Sequence, residues 1–134
     1  MITAVDSNVL LDVFGADTTF GERSKNAIRT CLSEGSLMAC EVVWAEVAGF
    51  FPSSEAAREA MQRLEVTFTA LTLESALLAS SAWKSYRERG GQKKRVVADF
   101  LIGAHALSQS DRLLTRDRGF YRTYFAQLRV VDPT

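Results

Sequence analysis

The sequence predicts an α/β domain in three layers, a central parallel sheet flanked by helices, and three observations carry that reading. Short β-prone runs alternate with helical segments along the whole chain, the pattern of strands joined by crossover helices and covered on both faces. The chain has 134 residues, 47% of them hydrophobic, which suits one ordinary globular domain with a sizeable core. It contains no internal repeat, low-complexity tract or interdomain linker, so residues 1–134 read as a single domain.

The elements follow in order. ITAV (2–5) is a β-prone run ending at Asp6, and SNVLLDVF places Val9, Leu10, Val13 and Phe14 at helical spacing. A turn-rich loop from Gly15 to Gly21 leads to ERSKNAIRTCLSEG, with Ile28, Cys31 and Leu32 on one face and Gly35 as the C-terminal stop. SLMA is the second strand. A helix runs from Glu41 to Phe50, Pro52 stops it, and Ser53 or Ser54 caps the next helix, EAAREAMQRLE. VTFTAL alternates Val66, Phe68 and Ala70 as a strand does. Thr72 caps a long helix through Arg89 with Ala76, Ala79, Trp83 and Tyr86 as its apolar stripe, before the hydrophilic break RGGQKKR. Val96–Gln109 is helical; RLLT (112–115) is a strand, Gly119–Phe125 a short helix, and LRVV (128–131) the last strand.

Composition narrows the function. Sixteen basic and sixteen acidic side chains cancel, so the global balance lacks the basic footprint of a duplex-DNA binder and any nucleic-acid contact must be local. The opening MITAVDSNVLLD has no basic stretch of the secretory type, and no apolar run reaches the ~18 residues of a membrane span, so a soluble cytoplasmic protein with no membrane association is expected. Cys31 and Cys40 form no CxxC and have no histidine nearby, which argues against zinc and against a disulfide and for buried thiols.

The acids are the informative residues. Asp99 interrupts the apolar run RVVADFLIGAHAL (95–107), and Glu46 likewise stands in the apolar VVWAEVAGF, although a carboxylate is seldom buried unless it is paired or bound to a cation. Asp6 ends the first strand, and Thr115 and Asp117 lie at and just past the end of RLLT. Ligand-binding groups of such sheets gather at the carboxyl ends of the strands. Four acids packed there would repel one another, and a hard divalent ion turns that repulsion into coordination.

AVDSNVLLD, WAEVAGF, VADFLIGAHA and LLTRDRGF, in this order and at these spacings, resemble a PIN domain, in particular the VapC-type toxins of bacterial and archaeal toxin–antitoxin operons. The likeness spans nearly the whole chain. It implies a PIN-like parallel sheet with flanking helices, a homodimer, Mg²⁺ or Mn²⁺ at the acids, endonucleolytic cleavage of RNA, and a separate antitoxin protein as partner. Asp6, Glu46, Asp99 and Asp117 match the family's acidic positions and Thr115 its hydroxyl position. On this reading Asp6 and Asp99 are the principal metal ligands, and Asp117 is a ligand directly or through water. Glu46 is a ligand or orients the attacking water, and Thr115 hydrogen-bonds a neighbouring acid or bound water.

Other residues take plainer readings. Asp6 also suits capping of the helix after it, which is compatible with metal binding. Asp12 and Asp17 read as surface. His105, the only histidine, falls off the Asp99 face of an ideal helix and reads as a core or subunit-contact residue. Trp44, Trp83 and Tyr86 read as packing residues. Lys93, Lys94 and Arg95, with Arg116 and Arg118 beside Asp117, supply the local positive charge with which a neutral protein would hold RNA. FYRTYF and VVW offer apolar surface for a homodimer. Two further functions remain open: a PIN-like scaffold that binds RNA or protein without catalysis, and an aspartate-based phosphatase or phosphotransfer domain. The phosphatase pattern wants an acid two residues after Asp6, where this chain has Asn8, and a receiver module wants adjacent early acids.

Overall fold

A computed structural model of the chain describes residues 1–91 and 97–134. In chain order the elements are β1 (Ile2–Val5), α1 (Ser7–Phe14), α2 (Gly21–Glu34), β2 (Ser36–Ala39), α3 (Glu41–Ala48), α4 (Ser54–Arg63), β3 (Val66–Phe68), α5 (Leu73–Glu88), α6 (Val97–Gln109), β4 (Arg112–Leu114), α7 (Arg118–Tyr124) and β5 (Val130–Val131). The five strands form one wholly parallel sheet in the order β3-β2-β1-β4-β5. Parallel neighbours need crossover connections, and these are right-handed. The order reverses direction at β1, so α1–α4 cover one face and α5–α7 the other, giving the expected three layers. Contacts of α1 with α2 and α3, and of α5 with α6 and α7, agree with this division.

Local chemistry sets the element ends. Asp6, Ser53 and Thr72 cap α1, α4 and α5 through side-chain oxygens that accept from Ser7 N, Ala56 N and Ser75 N. Gly35 ends α2 where only a glycine fits, because a Cβ there would stand 1.8 Å from the Met1 carbonyl oxygen. The central strands β1, β2 and β4 are buried along nearly their whole length, as a sheet covered on both faces requires. Cys31 and Cys40 are buried free thiols. His105 is buried in the core, and burial pushes its imidazole below the ordinary value while the Thr69 backbone and the Glu41 charge act the other way. Among the described residues, no helix is long and apolar enough to cross a membrane.

Four expectations need correction. β3 is an outer strand that ends at Phe68, and that ring is 53% exposed, lying edge-on to Trp44 with centroids 5.9 Å apart, so the Val66–Phe68–Ala70 alternation does not mark one buried face. On α5, Ala76 is exposed, and the inward positions are Ser75, Ala79 and Tyr86. Gln109 of α6 fixes that rotation by accepting from Ser75 Oγ at 2.6 Å and Thr72 N at 3.1 Å. The FYRTYF and VVW segments are mostly interior rather than free apolar surface: Phe120, Tyr121, Phe125 and Val43 are buried, and α7 stacks its rings against Phe100 and Tyr86. Asp12 is not a surface acid, since its carboxylate is 5% exposed and paired with Arg116, 104 residues away.

Candidate active site

Asp6 anchors the site. β1 and β4 are neighbours in the sheet, with Val5 opposite Leu114, and Asp6 N donates to Leu114 O at 2.9 Å. The chain leaves β1 toward one helical layer and β4 toward the other, which opens a crevice at their carboxyl ends. Asp6 and Thr115 flank that crevice as the first residues beyond the two strands. Asp6 Oδ1 accepts from Ser7 N at 2.7 Å, while Oδ2 accepts from the Thr115 hydroxyl at 2.7 Å, the Tyr121 hydroxyl at 3.2 Å and Asn8 Nδ2 at 3.5 Å. Burial pushes its carboxyl up to about 6, against the lowering effect of the Thr115, Ser7 and Tyr121 hydrogen bonds, and the charge of Asp99 adds to the rise. An ionised Asp6 is thus held in place by donors but short of positive charge.

The other acids approach from different elements. Asp99, in the first turn of α6, is half-buried and near enough to raise the Asp6 carboxyl. Asp117, half-buried at the N-terminal end of α7, donates its backbone N–H to Thr115 Oγ1 at 3.0 Å. Tyr121 feels all three: after burial itself, Asp6, Asp99 and Asp117 raise its phenol well above the ordinary range, so it remains a neutral donor. Glu46 is exposed on α3 and joins through Ser7, whose hydroxyl donates to Glu46 Oε1 at 2.7 Å. Among the described residues, no group of three or more His, Cys, Asp or Glu side chains is gathered closely enough to hold a metal ion.

The donor set nonetheless fits a hard cation. Two hydroxyls bind Asp6 and the charge of Asp99 bears on it, with no thiolate or imidazole among these groups, and Mg²⁺ needs only one or two carboxylates because it keeps several waters. Asp6 with Asp99 or Asp117 meets that requirement.

Of the basic residues, Lys93, Lys94 and Arg95 lie outside the described residues. The Arg116 guanidinium donates from Nε and Nη2 to Asp12 Oδ2 and Oδ1 at 2.7 and 3.0 Å and lies over the Phe20 ring, 4.1 Å from its centroid. Arg118 is 57% exposed, with its Nε 3.4 Å from Asp132 Oδ2. Sequence reasoning missed Ser7, Asn8 and Tyr121 as members of the site. Ser7 and Asn8 were within reach, being adjacent to Asp6 in DSN. Tyr121 carries no local signal, because it meets Asp6 from 115 residues away.

Residues 3–126 match the family model described as the PIN domain. No curated protein sequence matches the chain. Among solved structures, a chain of VapBC2 from Rickettsia felis, bound to a DNA fragment from its promoter, aligns at a TM-score of 0.76 and 14% identity, covering 98% of each chain. VapBC-1 from nontypeable Haemophilus influenzae gives 0.75 and 18%, covering 99% of this chain and 98% of that one. VapC20 from Mycobacterium tuberculosis, a toxin that cleaves the sarcin–ricin loop, gives 0.54 and 17%, covering 83% and 86%. At these identities the likeness is one of fold.

Proposed function

Because the chain belongs to the PIN-domain family, we propose that it is a divalent-metal-dependent endoribonuclease, the toxin of a toxin–antitoxin pair. The observation that carries this reading is the buried Asp6 carboxylate at the carboxyl ends of β1 and β4, hydrogen-bonded to Tyr121, whose phenol the charges of Asp6, Asp99 and Asp117 all raise. Asp6 and Asp99 are the principal ligands for Mg²⁺ or Mn²⁺, and Asp117 joins directly or through water. When bound, the ion supplies the positive charge that polarises the scissile phosphate and acidifies the attacking water. Thr115 and Tyr121 keep Asp6 turned toward the crevice through two hydroxyl donors. Glu46, held by Ser7 at the exposed rim, is placed to orient water on the solvent side. Lys93, Lys94 and Arg95, together with Arg118, supply the local positive charge for the RNA backbone. Structural neighbours described as VapBC complexes support a separate antitoxin protein as partner. A homodimer remains part of this proposal, with the exposed Phe50, Phe68, Leu73 and Leu77 as apolar surface available to it.

The spread of the acids keeps a second reading in view, a PIN-like scaffold that binds RNA or a protein without cutting. Incubating the protein with RNA in Mg²⁺, in Mn²⁺ and in EDTA, alongside Asp6→Asn, separates the two. Metal-dependent cleavage lost in the variant supports the nuclease. RNA binding without cleavage in either metal supports the scaffold.

A further inference from the structure

Asn8 and Asp12 stand four residues apart on α1, so their side chains share one face of that helix, and both reach the same residue, Arg116, in the loop between β4 and α7. Asn8 Oδ1 accepts from the backbone N–H of Arg116 at 3.3 Å, and Asp12 takes the Arg116 guanidinium as a two-pronged pair at 2.7 and 3.0 Å. Asp12 is itself held from α2, where the Ser24 hydroxyl donates to its Oδ2 at 2.8 Å, and the Phe20 ring lies against the guanidinium. The gripped residue lies between Thr115, which donates to Asp6, and Asp117, whose N–H donates back to Thr115.

We propose that Asn8 and Asp12 are positioning residues: through Arg116 they hold the 115–117 loop on α1 and so set where Asp117 and Thr115 stand relative to Asp6. Arg116 then works inside the protein rather than on RNA phosphate. The planar fork of an arginine fixes direction as well as charge, and it does so here against a carboxylate that is almost fully buried. The inference rests on the metal-nuclease reading of the same site.

The test uses the full chain and two variants that preserve volume or charge, Asp12→Asn and Arg116→Lys. Amide hydrogen exchange should show protection at the Arg116 and Asp117 N–H groups falling about tenfold, with β1 and β4 unchanged, since only the loop's own contacts are loosened. Calorimetric Mn²⁺ binding should weaken about tenfold, the loss expected when residues that orient metal ligands are changed. In RNA cleavage kcat should fall while KM and the salt dependence of RNA binding stay near wild type, because no phosphate contact is lost. Unaltered protection at residues 116 and 117 would overturn the proposal. So would lost protection with wild-type Mn²⁺ affinity and kcat. Weaker RNA binding with a shallower salt slope and intact Mn²⁺ affinity would instead make Arg116 a phosphate contact. A wild-type protein that binds no Mn²⁺ and cuts no RNA refutes the nuclease reading itself, whereas a competent wild type with unaffected variants refutes only the grip on the loop.

Discussion

Replacing Asp6 with Asn should stabilise the metal-free protein at neutral and alkaline pH and do nothing of the kind in acid. In the folded protein the Asp6 carboxyl is pushed from 3.8 up to about 6, chiefly by burial. A group bound more tightly to its proton in the folded state favours folding below its unfolded pKa, and that advantage is lost as pH rises through the folded value. The ionised wild type therefore carries a penalty that grows between 3.8 and about 6 and is complete above that window. A rise of that size corresponds to about 3 kcal/mol. Asparagine keeps an acceptor for Ser7 N, but its amide nitrogen faces the Thr115 and Tyr121 hydroxyls, which must turn to accept, at a cost of about 1 to 2 kcal/mol. The net gain at pH 8 is about 1 to 2 kcal/mol, a rise in Tm of about 3 to 7 °C for a chain of this length. Thermal unfolding in EDTA from pH 4 to pH 8 measures it directly. The Tm difference between variant and wild type should be zero or negative at pH 4, change sign at about pH 5, inside that window, and reach its full positive value above about pH 6. A variant destabilised by the same amount at every pH would refute the reasoning, because desolvation of the charged carboxylate would then not be what strains the site.

Asp99→Asn should abolish Mg²⁺-dependent RNA cleavage with the fold intact, because the amide is a far poorer ligand for a hard cation; full activity in this variant would take Asp99 out of the site. Changing Lys93, Lys94 and Arg95 together to Ala should weaken RNA binding and flatten its salt dependence while Mn²⁺ affinity holds, and an unchanged slope would make the segment ordinary solvated surface. Gly35→Ala should destabilise the protein by about 1 to 3 kcal/mol in denaturant unfolding, since the new methyl meets the Met1 carbonyl rather than a movable side chain. Sedimentation at micromolar concentration should show a dimer, and a monomer alone would remove the homodimer from the proposal.

The sequence by itself determined the elements and their order, because those are local facts. Strand runs such as ITAV and SLMA, caps such as Thr72, and the glycine stop at Gly35 are written in contiguous residues, where period and backbone chemistry suffice. The same local grammar placed Asp6 at the end of β1 and Thr115 with Asp117 just beyond β4. What it could not supply was anything set by how distant elements meet. Which face of α5 turns inward depends on Gln109 of α6, and whether Phe68 is covered depends on β3 lying at the sheet's edge. Asp12 has the sequence surroundings of a solvated helix acid, yet it is buried because α2 and the β4–α7 loop close over it with a serine and an arginine. Tyr121 belongs to an aromatic segment that reads as apolar surface for a dimer, and only the parallel pairing of β1 with β4 brings its hydroxyl to Asp6. The half-burial of Asp99, the exposure of Glu46 and the hydroxyls that restrain Asp6 were decided by tertiary contacts, because burial is a property of the assembled layers and not of any segment.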